Sequence, residues 1–379
     1  MESFFIYTIT IGISVAIAAI YQKKENRKHR LLWKLYIILP TTLLGGFRYG
    51  IGTDYYAYVD LYRTYSHWNL KDVSLFEDQN VGFLFKVLIR VCSAIYDNPS
   101  TMFFTAMFLT LFIAIIAFDK IRNKISIPLA LSLYYAIYYL ASYNVIRQIL
   151  STSIVILAVV YLSENKYVKY LLLTICAGFI HASAFGTIIY LAVKLISRRS
   201  KLSNIKRILF FTGICAIVFF CNTFLNYISI GIAKTDTVNY VIYLTNIGSA
   251  TTKEILASLF QISIILIPMI VFQYRHSMQN EEEEFWYLLA WLVIPFSLMS
   301  SLGYWAIRLI YLGMVGCIFE ILLLCRLTND NRVYLLKDGL RHNLSLYQAY
   351  YLILMYGYFY VYQVWVLGFY KVIPYASLH

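Results

Sequence analysis

An all-α protein crossing the bilayer many times is the fold class that three features of this sequence predict. Hydrophobic residues fill 60% of its 379 positions and charged ones only 13%. With a mean hydropathy of +0.66, the chain is too apolar for a soluble domain. The apolar residues fall in runs long enough to cross a ~30 Å hydrocarbon core as helices. Lysines and arginines cluster between these runs, so the net charge of +13 reports membrane orientation rather than nucleic-acid binding. We expect about ten full spans plus a half-helix hairpin over residues 170–196, in a single integral membrane domain covering residues 1–379.

The first run, Phe4–Ile20, precedes the basic stretch from Gln22 to Arg30, which the positive-inside rule puts in the cytoplasm and which leaves the N-terminus outside. A cleaved signal peptide would carry its charges before the apolar run, so we read a true span. Leu31–Phe47 returns outward and delivers Gly45-Gly-Phe-Arg-Tyr-Gly-Ile-Gly-Thr-Asp54 to the outer face. Glycines at 45, 46, 50 and 52 allow sharp turns and close approach to a ligand. Residues 48–100 form a long external loop. Within it, Val81–Tyr96 puts Lys86 and Arg90 four apart among apolar residues, the pattern of an amphipathic helix lying in the interface.

Asp97-Asn-Pro-Ser caps a helix at Thr101–Phe118 that runs inward. Ile127–Tyr143 runs out and Val145–Leu162 runs back, with a tight corner at Asn144 followed at once by Arg147 and Gln148. Basic clusters flank Tyr170–Val193 on both sides, so both flanks should be cytoplasmic although the stretch has length for only one crossing. Two short helices meeting at Gly178–Ser183 resolve this. Tyr170–Ile180, at ~1.5 Å per residue, covers about half of the hydrocarbon core and puts His181 at the tip inside a cavity wall.

Ile208–Leu225 and Ile255–Phe272 flank a second external loop at 226–253. The four glutamates at 281–284 read as a solvated cytoplasmic turn. Phe285–Leu302, Leu309–Cys325 and Tyr347–Val366 complete the spans and leave the C-terminus outside. We see no internal repeat of the kind many transporters show. The six cysteines form no Cys-x-x-Cys pair, which speaks against ligands or a disulfide framework. Glu77-Asp78 lacks a third ligand, so we assign no metal and no cofactor.

Arg147 and Arg308 fall in the first turns of helices starting at the outer face, where the helix dipole disfavours a cation. Two such breaches of a local rule point to function. Helix N-termini with guanidinium forks suit a diphosphate. Arg48 is a third cation at that face, with Asp54 and Asp60 beside it. Each has a structural reading too: snorkelling or surface pairing for Arg48, a bond to a neighbouring helix for Arg147 and Arg308, a satisfied core histidine for His181.

Taken in order, Phe47-Arg-Tyr-Gly-Ile-Gly-Thr-Asp-Tyr55 with Tyr58, Arg147-Gln148, Ala177-Gly-Phe-Ile-His181-Ala-Ser183, Arg308 and Pro374-Tyr375 resemble the pattern of the EpsG family, a Wzy-type polysaccharide polymerase group. The turn before Arg308 departs from that pattern, reading Gly-Tyr-Trp-Ala-Ile without a second arginine. The resemblance implies a bacterial inner or plasma membrane protein similar in plan to glycosyltransferases of GT-C type. It further implies polymerisation of undecaprenyl-diphosphate-linked oligosaccharides on the outer face, the lipid-linked glycan being both donor and acceptor, with membrane lipid, a chain-length regulator and a flippase as partners and no nucleic acid.

Such a reaction needs a base for the acceptor hydroxyl and cations for the departing diphosphate. We expect Asp54 or His181 as the base, and Arg147, Arg308 and Arg48 on the anion. Gln148, Tyr55 and Tyr58 complete the substrate contacts. The competing readings are a transporter or flippase of lipid-linked sugars and a ligase passing glycan to a different acceptor.

Overall fold

The computed structural model describes residues 2–24, 29–68, 81–198, 213, 281–298, 309–329 and 344–376. Every regular element among them is helical. By length and composition three can cross a membrane: Glu2–Lys23, Pro99–Lys120 and Ile146–Ser163. Ile127–Tyr139, Tyr167–Ile180, Ala182–Ser197 and Ile310–Leu323 are shorter apolar helices. The expected count of about ten spans therefore has three full-length members among the described residues, and the segments 208–225 and 255–272 lie outside them. The chain divides into two compact units, Met1–Ile188 with Gly339–His379, and Ile189–Asp338.

The first unit is built on α1 (Glu2–Lys23), α2 (Arg30–Gly46), α5 (Pro99–Lys120), α7 (Ile146–Ser163) and α8 (Tyr167–Ile180). In α1, Tyr7, Ile11, Ser14, Ala18 and Tyr21 are buried while Phe5, Ile9, Ile13 and Ile20 are exposed. A helix apolar on both its buried and its exposed face is suited to lipid, not water. Asn98 caps α5, its side chain accepting from Ser100 N–H at 2.9 Å, with Pro99 in the first turn. Gly46 lets α2 lie on α5, because a Cβ there would come within 2.8 Å of Phe104 Cα. Gly45 and Gly46 thus serve helix packing, while the turn-making glycines are Gly50 and Gly52, at φ 65° and 107°.

Ile127–Tyr134 is α6, which continues as a π-helical turn over Tyr135–Tyr139 and a 3-10 turn over Ala141–Tyr143 before the corner at Asn144. The wider turn re-aims tyrosine hydroxyls at α2. Tyr139 donates to the Thr41 main-chain oxygen at 2.8 Å, and Tyr135 shares a 2.9 Å hydrogen bond with the Thr41 hydroxyl. At the other end, Asp119 takes Lys34 at 2.8 Å and the Tyr21 hydroxyl at 2.8 Å, and Glu164 takes Lys120 at 2.9 Å and Lys166 at 2.7 Å. These ion pairs gather at the end that the sequence assigns to the cytoplasm.

Between α2 and α5 the first loop folds into two helices, α3 (Tyr55–Tyr65), which the sequence reading left as loop, and α4 (Phe83–Ile95). The expected helix at 81–96 is present but its cations face inward. Lys86 is buried with its ammonium 5.1 Å from the centre of the Tyr65 ring, and Arg90 donates to the Trp68 main-chain oxygen at 3.1 Å. Val91, Ile95 and Tyr96 are the exposed residues instead. The reason is α3 and the residues just after it: the Tyr65 ring gives Lys86 a face and the Trp68 carbonyl gives Arg90 an acceptor, and these compete with lipid headgroups.

The helix break expected at Gly178–Ser183 falls at His181, where α8 gives way to a 3-10 segment over Ala182–Ile188. The last long helix of the first unit comprises Leu344–Met355 and a π-helical continuation over Tyr356–Val366.

The second unit contains α9 (Ile189–Ser197), α10 (Glu281–Trp291), α11 (Val293–Leu298) and α12 (Ile310–Asn329). Here the four glutamates are not a solvated turn. They form the first turn of α10, with Glu283 and Glu284 buried, and Glu281 pairs with buried Lys194 at 2.7 Å. A helix N-terminus favours negative charge, so this location suits glutamates better than open solvent requires. Trp286 stacks on Phe319 at 4.3 Å, and Gly316 lies against Leu289 to bring α12 onto α10. Glu320 is fully buried in that contact, and among the described residues neither of its carboxyl oxygens has a hydrogen-bond partner. The cysteines among the described residues, Cys92, Cys176, Cys317 and Cys325, are all free thiols.

Candidate functional site

At the ends of α2 and α7 away from the Lys34–Asp119 pair, the glycine-rich loop and the C-terminal segment meet within the first unit, and Asn144 is where they join. Its side-chain amide works in both directions. The Nδ2 donates to the Tyr370 main-chain oxygen at 2.9 Å, and the Oδ1 accepts from Asp54 N–H at 3.4 Å. Gly52 makes this possible: at φ 107°, a Cβ there would stand 2.6 Å from Asn144 Oδ1 and 2.8 Å from the Tyr143 oxygen. Two further main-chain bonds tie loop to C-terminus, Tyr49 N–H to Ala376 O at 2.9 Å and Gly52 N–H to Lys371 O at 3.2 Å.

Arg48 lies beneath this junction and is 1% exposed. It donates to Gly45 O at 2.8 Å and Tyr143 O at 3.0 Å, and its guanidinium stands 4.7 Å from the Phe103 ring and 4.5 Å from the Tyr143 ring. Burial lowers its pKa from the ordinary arginine value. A crevice beside it, lined by Met107, Thr110, Ser142 and Ile146, is too narrow to admit a water molecule. The two carbonyls that Arg48 holds end α2 and precede the corner, so its visible work is joining those two chain ends.

Asp54 is half-buried at the position preceding the first turn of α3, whose positive end favours an ionised carboxylate. Tyr55 and Tyr58 turn inward. Tyr55 stacks on Phe103 at 4.8 Å and Tyr58 meets Phe85 edge-on at 6.1 Å. Arg147 and Gln148 lie in the first turn of α7, the first half-buried and the second buried. Arg308 lies outside the described residues.

The register between α7 and α8 brings Arg147 and His181 to one level. Ser151 Oγ on α7 donates to Ala177 O on α8 at 3.0 Å. These helices run in opposite directions, so four residues outward along each, one helical turn, lead to Arg147 and His181. His181 ends α8 and its Nδ1 faces Ser183, 2.7 Å from the hydroxyl and 3.4 Å from the main-chain N–H. A main-chain N–H can only donate, so Nδ1 accepts there and Nε2 carries the proton. His181 in that tautomer offers a donor at Nε2. The start of α4 closes on the same place, with Gly82 against the main-chain oxygens of Phe179 and Ile180.

The sequence reading named Arg48, Asp54, Arg147 and His181 as candidates and did not single out Asn144 as the joining group or Tyr370-Lys371 as its neighbours. The only signal for Asn144 was its place in a corner with no glycine or proline.

The sequence model of the EpsG family matches residues 31–377. No curated protein and no solved structure is detectably similar to the chain.

Proposed function

We propose, from the premise that this chain belongs to the EpsG family, a Wzy-type polymerase-like group of membrane proteins, that it lengthens a polysaccharide by transferring a glycan between undecaprenyl-diphosphate carriers at the outer membrane face. The observation that carries this reading is that Asn144, bonded to the Asp54 main-chain N–H, lies three residues before Arg147, and that the Ser151–Ala177 bond sets Arg147 level with His181. An acid, a guanidinium fork and an imidazole donor are the groups this reaction uses.

In the step we propose, the acceptor sugar hydroxyl gives its proton to Asp54 and its oxygen bonds the anomeric carbon of the donor glycan. The bond from that carbon to the diphosphate oxygen breaks, and the lipid diphosphate departs with the electron pair. Arg147 binds the diphosphate bidentately, and the His181 Nε2–H supports a phosphate oxygen. Arg48 acts one step back, holding the chain ends on which Asp54 and Arg147 stand. Gln148, Tyr55 and Tyr58 are buried and support the site from beneath.

Lysine cannot reproduce the arginine fork, so Arg147→Lys should lose about 30- to 1000-fold in polymerisation rate while reaching the membrane normally. Cells carrying it should display single repeat units instead of long chains. Normal chain length from Arg147→Lys, Arg308→Lys and Asp54→Asn alike, at ordinary protein levels, would remove the reading. In a flippase, loss of these groups would instead trap the lipid-linked repeat on the cytoplasmic face.

A further inference from the structure

Just before its end, the chain turns through left-handed backbone at three of four positions, Gly368 at φ 67°, Tyr370 at φ 71° and Lys371 at φ 46°. Glycine adopts this region freely, whereas tyrosine and lysine are strained in it. The chain uses glycine at 368 and forgoes it at 370 and 371, so the turn alone does not explain the two residues. Strained non-glycine residues persist where their surroundings hold them, and they concentrate at functional sites. Here the surroundings are the junction itself. Tyr370 O accepts from Asn144 and Lys371 O from Gly52 N–H, and one residue on, Val372 O accepts from the Tyr7 hydroxyl at 3.0 Å. Tyr375 adds a bond from its hydroxyl to Leu44 O at 3.0 Å.

The consequence is that one side-chain amide, that of Asn144, has Asp54 on its acceptor side and Tyr370 on its donor side. Arg147 follows three residues along the chain. Tyr370 is half-buried and Lys371 is exposed, so the segment puts an aromatic ring and an ammonium at the open side of the junction.

We propose that Tyr370 and Lys371 are substrate-binding residues, the lysine ammonium meeting a phosphate oxygen of the lipid diphosphate and the tyrosine ring a sugar face. This rests on the proposed polymerase reading and adds a cation that the sequence pattern did not single out. An ammonium is a compact charge that accepts varied phosphate geometries, and an aromatic ring supplies apolar area to a sugar.

Lys371→Gly separates the two roles of the residue, because glycine suits the backbone at 371 and lacks the ammonium. The probe is undecaprenyl diphosphate, with the purified full chain in nanodiscs of phosphatidylcholine, with or without phosphatidylglycerol. Lys371→Gly should keep the thermal midpoint at or above that of the parent while weakening probe binding at least 5-fold in both lipids, and Lys371→Arg should restore it. Tyr370→Gly should leave probe binding unchanged and raise the KM for the lipid-linked repeat. Unchanged binding by Lys371→Gly, alongside loss of binding by Arg147→Gln, would overturn the proposal and leave the polymerase reading standing. An effect confined to nanodiscs with phosphatidylglycerol would assign Lys371 to bilayer headgroups and overturn it too. Failure of the parent protein itself to bind the probe would overturn both.

Discussion

The Arg48 guanidinium donates to the Tyr143 main-chain oxygen at 3.0 Å and lies 4.5 Å from the ring of the same residue. One side chain thus pins the corner before α7 by a charged hydrogen bond and a ring face at once, and its second donor fixes Gly45 O at the end of α2.

Arg48→Lys should break that arrangement, since an ammonium on a shorter stem cannot reach both carbonyls and leaves one unsatisfied out of water. We expect a loss of about 1–3 kcal/mol in stability, read as a lower thermal midpoint in detergent, together with loss of polymer. A lysine variant with the parent midpoint would show that the two carbonyls do not depend on the fork.

Gly52→Ala should be severe and Gly12→Ala mild. A Cβ at 52 meets Asn144 Oδ1 at 2.6 Å and its backbone is left-handed, whereas a Cβ at 12 has nothing within 4 Å. The first change should cost at least ~1–3 kcal/mol and abolish activity. The second should gain up to about 1 kcal/mol from helix propensity. Membrane yield and midpoint of the pair provide the measurement, and equal values would count against the junction as described.

Glu320→Met should stabilise the second unit. Methionine matches the length of glutamate without its two unpartnered oxygens, and Glu283 and Glu284 face Glu320 with like charge. Replacing a buried carboxyl whose oxygens find no hydrogen-bond partner among the described residues with apolar volume should gain about 1–3 kcal/mol. A midpoint below that of the parent would instead show that the carboxyl is needed there.

At the end of α7 away from Asn144, burial works to raise the Glu164 carboxyl, but Lys166 and Lys120 outweigh it and hold it below its ordinary value. A depressed carboxyl contributes stability above its unfolded value, ~4.3, and loses it as pH falls through the folded value. Parent and Glu164→Gln midpoints should therefore differ at pH 7 and converge as pH falls below the ordinary carboxylate range. A gap that persists unchanged into acid would assign the difference to something other than these ion pairs.

What the sequence determined by itself is the class of the molecule and the places where its helices stop. Apolar run length and the cap at Asn98 are local properties, so α5 and the run that begins α6 were legible from neighbouring residues alone. The corner at Asn144 and the break at His181 were legible for the same reason. Tertiary structure decided which way the charged groups face. Lys86 turned to Tyr65, the glutamates of α10 became a buried helix start, and Arg48 went under the junction instead of to its surface. In each case a partner tens of residues away in sequence, Tyr65, Lys194 or Tyr143, supplied the ring, charge or carbonyl that competed with water. A burial choice of that kind depends on through-space distance, which the order of residues along one chain does not carry.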